Sequence, residues 1–302
     1  MILLAAALAA QTPLPATAPL AEEIVVTARR TGIPVWRVRR DGSTLVLIGT
    51  IERITRDTHW NRSALEATIA RSQRVMFPQT VGLAASPFQL IGWLAKWKRM
   101  AKLPKGRTLS AMIGAEQSAS LARLAAQGLA PKDWDRMHPL HLAFKISDLV
   151  EKRTGMAPSA AAAVNQAIKR HKVARVPIAR MRASPVVRDL FATGPAEHLP
   201  CLTATITMAE AGPAELRRRS RAWSERRVTA AVRSPVEAIY ERCWPAQAGS
   251  GFDPNLMATT SRALADNGAT VAIIDLNSLA RRGGLLDQLK AAGLTPEGPD
   301  WR

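Results

Sequence analysis

Residues 34–52, PVWRVRRDGSTLVLIGTIE, constrain this chain more than any other stretch. Trp36-Arg37-Val38-Arg39 alternates apolar and polar side chains, as a strand with one buried face does. Asp41-Gly42 is a two-residue hairpin signal, and Leu45-Val46-Leu47-Ile48 is an apolar run that reads as a buried strand. The run meets Gly49-Thr50 and hands over to a loop. Residues 269–296 repeat the logic, with Thr270-Val271-Ala272-Ile273-Ile274 running into Asp275-Leu276-Asn277-Ser278. In an α/β sheet, ligands and reacting groups gather at the carboxyl ends of such strands. Both apolar runs end in such a place.

Between these segments the pattern is mostly helical. Asn61 caps a helix through about Ser72, and Val75-Met76-Phe77 is a short strand stopped by Pro78. Helices are expected from Ser86-Pro87 to about Ala101 and over Ala115–Gly128. A longer helix capped by Asp133 and broken early by Pro139 should run to Arg153. An Ala-rich helix over Ala157–Lys172 leads into a strand at Ala174-Arg175-Val176. Pro195–Ala211 and Pro213–Val232 read as a helical pair, and Gly249-Ser250-Gly251 as a loop before the last helix.

With 302 residues, 47% hydrophobic and 22% charged, the chain can bury a full core, which excludes a disordered class. The formal charge of +18 is unusual. Its arginines are spread along the chain instead of being interleaved with aromatics on one face, so no nucleic-acid partner is expected. Arg217, Arg218, Arg219, Arg221, Arg226 and Arg227 read as a solvated exterior, with an anionic polymer or a membrane surface as the alternative contact. Phe88, Ile91, Trp93, Leu94 and Trp97 mix with Lys96, Lys98, Arg99 and Lys102 in a basic amphipathic helix. That helix is expected to pack over the sheet with snorkelling lysines, a membrane-surface role being the alternative.

Residues 1–10, MILLAAALAA, read as a signal peptide that lacks a basic leader, so export to the periplasm is expected. The run is shorter than the roughly 20 apolar residues that span a bilayer. Residues 11–33 read as a Pro/Ala-rich tether and 34–302 as the domain. Within the tether, Glu22–Arg30 is similar to the TonB-engaging segment of TonB-dependent receptors, or Ile24-Val25-Val26 is an edge strand; no partner is built on it. Two cysteines, Cys201 and Cys243, permit one disulfide in an oxidising compartment, or are two separate buried thiols.

Trp36, Gly49-Thr50, Leu279, Gly284-Leu285-Leu286 and Gly293 resemble the opening and closing motifs of the TraB/GumN family, relatives of the Tiki metalloproteases. The resemblance covers residues 34–298. It implies a single α/β domain, with a β-sheet formed from both halves of the chain and helices around it. It also implies a metal-dependent hydrolase, with two histidines and a glutamate about one metal. In this chain Glu52 and Ser278 stand where the histidines belong, and Pro78 stands for the glutamate. The family's further polar motif positions fall on Ala160, Ala179 and Asp253-Pro254.

These substitutions lead to the expectation of a catalytically silent protein with a binding or structural role, no cofactor and no bound metal. The alternative is a metal-dependent hydrolase rebuilt around Glu52 and Asp275, with His59 nearby and one carboxylate as general base. His138 and His141 lie three apart, a spacing that can share a metal, but no third ligand accompanies them and Asp148 is too far along. Glycine-rich nucleotide loops, a Gly-x-Ser-x-Gly elbow and His-Glu-x-x-His are all missing from the sequence.

Overall fold

Asp41 and Gly42 both adopt positive φ, 43° and 81°, the backbone of a tight two-residue hairpin turn. They join β1 (Val35–Arg40) to β2 (Ser43–Thr50) in antiparallel register. This computed structural model describes residues 17–77, 87–177, 183–243 and 256–302. The other strands are β3 (Ile54–Thr55), β4 (Arg74–Phe77), β5 (Met156–Ala157), β6 (Ala174–Pro177) and β7 (Gly268–Asp275). The main sheet runs β1-β2-β7-β4-β6, parallel from β2 onward, and β3 pairs with β5 apart from it. The strand nearest the end of the chain is therefore the centre of the sheet. Parallel register sets Thr50 beside Asp275, and the Thr50 hydroxyl donates to the Ile274 carbonyl at 3.3 Å.

In chain order the helices are α1 (Thr17–Arg29), α2 (Arg62–Arg71), α3 (Pro87–Met100), α4 (Ala115–Ala126), α5 (Pro139–Thr154) and α6 (Ala160–His171). They continue as α7 (Ala183–Ala192), α8 (Leu199–Ser224), α9 (Val228–Val232), α10 (Pro235–Cys243), α11 (Leu256–Ala265), α12 (Leu276–Ala280) and α13 (Leu285–Ala291). The first of these corrects the expected tether. Ala21, Ile24, Val25 and Ala28 recur at helical spacing, and all four are buried where α1 packs on α2 and the sheet. The β-branched triplet belongs to this helix, not to an edge strand.

The long helix expected from Asp133 begins instead at Pro139, after a short 3-10 turn at Trp134–Arg136. Proline suits a first helical position because its missing N–H would have no partner there. The expected helical pair is found as the two halves of α8, which begins at Leu199 and whose second half ends at Ser224, with α9 completing the stretch to Val232. Gly212 takes φ 69°, ψ −170° ahead of Pro213, which separates two straight halves.

Two cores result. One surrounds the sheet and includes Trp36, Leu47, Ile273, Leu279 and Leu286; the other lies among α4, α5, α8 and α10 and includes Leu121, Leu140, Ile146 and Leu202. Helix α8 joins them, with Leu216 in the second core and Trp223 in the first. A disulfide between Cys201 and Cys243, whose Cα atoms are 4.4 Å apart, ties α8 to α10 inside the second core. Helix α3 does not lie over the sheet as expected. It packs on the helical layer against α7, with the Trp97 ring on His141 and Phe144 of α5.

Candidate functional site

At the carboxyl end of β2, Gly49 allows a close approach. A Cβ there would lie 2.6 Å from a Leu276 methyl and 3.1 Å from the Trp36 ring, so α12 and the first hairpin pack directly on this glycine. The Gly49 carbonyl accepts a hydrogen bond from the Trp223 indole N–H at 2.9 Å. One turn back on α8, the Ser220 hydroxyl accepts from the Thr55 N–H at 3.2 Å. Arg219 donates to the Arg53 carbonyl at 3.1 Å. The second half of α8 thus grips residues 49–55, the segment leaving the sheet edge.

Arg219 and Glu237 form an ion pair within this arrangement, with Arg219 Nε donating to the Glu237 carboxylate at 2.6 Å. Both side chains are nearly removed from solvent. Arg219 is thus not part of the solvated exterior expected for this arginine-rich run. Arg217, Arg218, Arg221, Arg226 and Arg227 are exposed as expected. Glu215, Leu216, Arg219, Ser220, Ala222 and Trp223 share the buried face of α8, and the Leu216/Ser220/Trp223 spacing was the available signal for it.

Asp275 sits at the meeting of β7 and α12. Its Oδ1 accepts from the Asn277 N–H at 3.0 Å, so the carboxyl caps α12. Burial pushes its pKa up to about 8, with Glu237 and Glu52 adding negative charge nearby. Arg219 and the Asn277 N–H oppose that rise. The structure thus brings Glu52 and Asp275 within electrostatic reach of one another, with Glu52 exposed and Asp275 half-buried. Ser278 is buried in α12, within the same short segment.

His59 is exposed in the loop before α2. Pro78, Ala179 and Asp253-Pro254 lie outside the described residues, as does the Gly249–Gly251 loop. Ala160 is buried at the start of α6. The histidine pair on α5 is occupied in packing: His138 caps the helix by accepting from the Leu140 N–H, and His141 Nε2 bonds the Trp97 carbonyl at 2.9 Å. Exposed Asp148 joins neither. Among the described residues, no group of three or more His, Cys, Asp or Glu side chains is arranged to hold a metal ion.

The frame residues of the two strand ends thus account for one another, whether by indole hydrogen bond, helix cap or close glycine contact. Comparison with protein families agrees with that frame: the TraB/PrgY/gumN family model matches residues 34–298. This chain belongs to the TraB/PrgY/gumN family. No curated protein and no solved structure gives a match. In this TraB/PrgY/gumN protein the motif glycines have a packing reason. A Cβ on Gly284 would lie 2.8–2.9 Å from the carbonyl oxygens of Leu279, Arg281 and Ser278, and Gly49 is enclosed as described above. Trp36 is held by its indole N–H donating to the Pro299 carbonyl at 2.9 Å.

Proposed function

We propose that this TraB/PrgY/gumN-family protein is exported, keeps the family frame and is catalytically silent, serving a binding or structural role. The observation that carries the reading is the use made of the side chains at the two strand ends. Asp275 spends an oxygen on capping α12, Ser278 is a neutral hydroxyl buried in the same helix, and Glu52 is exposed to solvent. A family metal would need three or four good donors and an open position for water. Glu52 could supply one carboxylate, a serine hydroxyl is a weak donor, and proline at position 78 has no side-chain donor. The donor set does not fit that metal.

The test is metal analysis of the purified protein together with titration of zinc and manganese into the metal-free form. The expected result is sub-stoichiometric metal and no hydrolysis of peptide or ester substrates. Stoichiometric metal that disappears in Glu52→Ala would overturn the reading. Export is tested separately, by fractionation and by mass spectrometry of the mature amino terminus.

One observation favours a second reading, a hydrolase rebuilt around Glu52 and Asp275. Glu52 lies within electrostatic reach of Asp275, and burial raises the Asp275 pKa to about 8, so Asp275 could hold a proton to donate while the exposed Glu52 faces solvent. Hydrolysis lost in both Glu52→Gln and Asp275→Asn, with the fold intact, would support this alternative.

A further inference from the structure

Between Glu66 and Glu116 the sequence has no acidic residue. Lys96, Lys98 and Arg99 fall in the last turns of α3, and Lys102, Lys105 and Arg107 follow in the next loop; all six are exposed. None of the six forms an ion pair among the described residues.

Helix α3 also has two apolar faces. Trp93, Trp97 and Met100 form the inner one, partly covered, with Trp97 stacked on His141 at 3.9 Å between ring centroids. On the other side Phe88 is 85% exposed, Ile91 66%, Leu94 56% and Leu90 43%. Among the described residues only one other large hydrophobic side chain, Val26, is comparably exposed. A surface helix normally presents polar residues opposite its packed stripe. A contiguous apolar patch facing water marks an interaction surface. Phe88, Ile91 and Leu94 follow one another at three-residue steps, so they form a line along the helix, and the cations begin where that line ends.

We propose that α3 docks this protein on an anionic phospholipid bilayer. Phe88, Ile91 and Leu94 enter the boundary between headgroups and acyl chains, and Lys96, Lys98, Arg99 and Lys102 reach the headgroup phosphates. Long basic side chains bury their alkyl stems while holding the charge at a polar level, which suits this end of the helix. Apolar area plus attraction to anionic lipid is the combination that holds interfacial helices on membranes. A soluble polyanion would satisfy the cations but leave the apolar line in water. A second copy would cover the apolar line but bring two cationic segments together with no acidic residue in either.

The test uses the full chain and vesicles of phosphatidylcholine, alone or mixed equally with phosphatidylglycerol. At about 0.1 M salt, where electrostatic reach is about 10 Å, the protein should cosediment with mixed vesicles at least about tenfold more tightly than with neutral ones. Phe88→Ser/Ile91→Ser/Leu94→Ser should weaken that binding at least about tenfold. Lys96→Glu/Lys98→Glu/Arg99→Glu should abolish the preference for anionic lipid. Because these side chains are exposed, circular dichroism and thermal midpoint should be unchanged in both variants. Absence of vesicle binding, or binding unaffected by the apolar variant, would overturn the proposal. So would a dimer in light scattering that the apolar variant abolishes, since a second copy would then be the occupant.

Discussion

Arg219 and Glu237 are paired at 2.6 Å beneath the carboxyl edge of the sheet, on two helices, α8 and α10, joined by residues 225–234, with almost no exposure of either side chain. A buried ion pair is costly to form and still more costly to break, because the survivor is left charged in a medium that solvates it poorly. Arg219→Met alone should therefore destabilise by about 3–5 kcal/mol in urea unfolding. The double variant Arg219→Met/Glu237→Leu should recover most of that loss. If the double variant unfolds as readily as the single, the cost lies in the Arg219 contact with the Arg53 carbonyl or in packing, not in the stranded carboxylate.

Asp275 gives the fold a dependence on pH opposite to that of an ordinary surface carboxylate. Its pKa rises from 3.8 to about 8 by burial, then by the charges of Glu237 and Glu52. Between those limits the native state holds a proton that the unfolded chain has released. Stability from this group is therefore full below about pH 4 and declines as pH rises toward 8, with a slope of up to about 1.4 kcal/mol per pH unit. Asp275→Asn keeps an acceptor for the Asn277 N–H and cannot ionise. Its urea midpoint should fall less than that of the unaltered protein between pH 6.5 and 8; parallel curves would refute the assignment.

His138 acts with the opposite sign. Burial, then His198 and His141, lower its pKa from 6.5 to about 4. As pH falls through that window the unfolded chain takes up a proton that the native state refuses, so stability is lost on acidification. Protonation would also remove the Nδ1 acceptor that caps α5. His138→Asn retains a capping oxygen without a titration. Thermal midpoints measured from pH 7 down to 4 should drop more slowly in this variant.

The sheet was legible because its signals are local. Asp41-Gly42 dictates its own turn, and the runs at 45–48 and 270–274 are too apolar to lie anywhere but inside. Helix α1 was obscured by the Pro-rich residues before it and by three β-branched residues that suit a strand equally well. At the site, Glu52 and Asp275 could be found because they follow strand ends. Arg219 and Glu237 could not, since their burial arises only when α8 crosses the edge of the sheet. An arginine inside Arg217-Arg218-Arg219 looks solvated until Leu216 and Trp223 fix which face turns inward. Helix α3 shows the same limit: its apolar residues were evident, but the choice between sheet and helical layer rests on Phe144 and His141.

The Cys201–Cys243 disulfide closes a segment of the chain that contains the kink of α8 and the whole of α9. Cross-linking such a loop restricts the unfolded ensemble, for a typical gain of about 2–4 kcal/mol. Reduction, or Cys201→Ala/Cys243→Ala, should lower the urea unfolding free energy by that amount. An unchanged value would mean that packing between α8 and α10 alone sets their stability.

The two motif glycines should differ in how they tolerate a methyl group. At Gly49 the added carbon would press on the end of the Leu276 side chain at 2.6 Å and on the Trp36 ring at 3.1 Å. A leucine methyl can rotate away, although Trp36 and Leu279 leave it little room in a buried site. At Gly284 the carbon would meet three backbone oxygens, of Leu279, Arg281 and Ser278, at 2.8–2.9 Å. No rotamer relieves that contact; the turn between α12 and α13 must move. Gly49→Ala should cost about 1–3 kcal/mol, the range for overpacking a core. Gly284→Ala should cost more and should also disturb α12, which carries Ser278 and begins at the Asp275 cap. Hydrogen exchange at residues 276–280 distinguishes the two, with faster exchange expected only in the Gly284 variant. Equal protection there in both variants would show that the turn yields without loosening the helix.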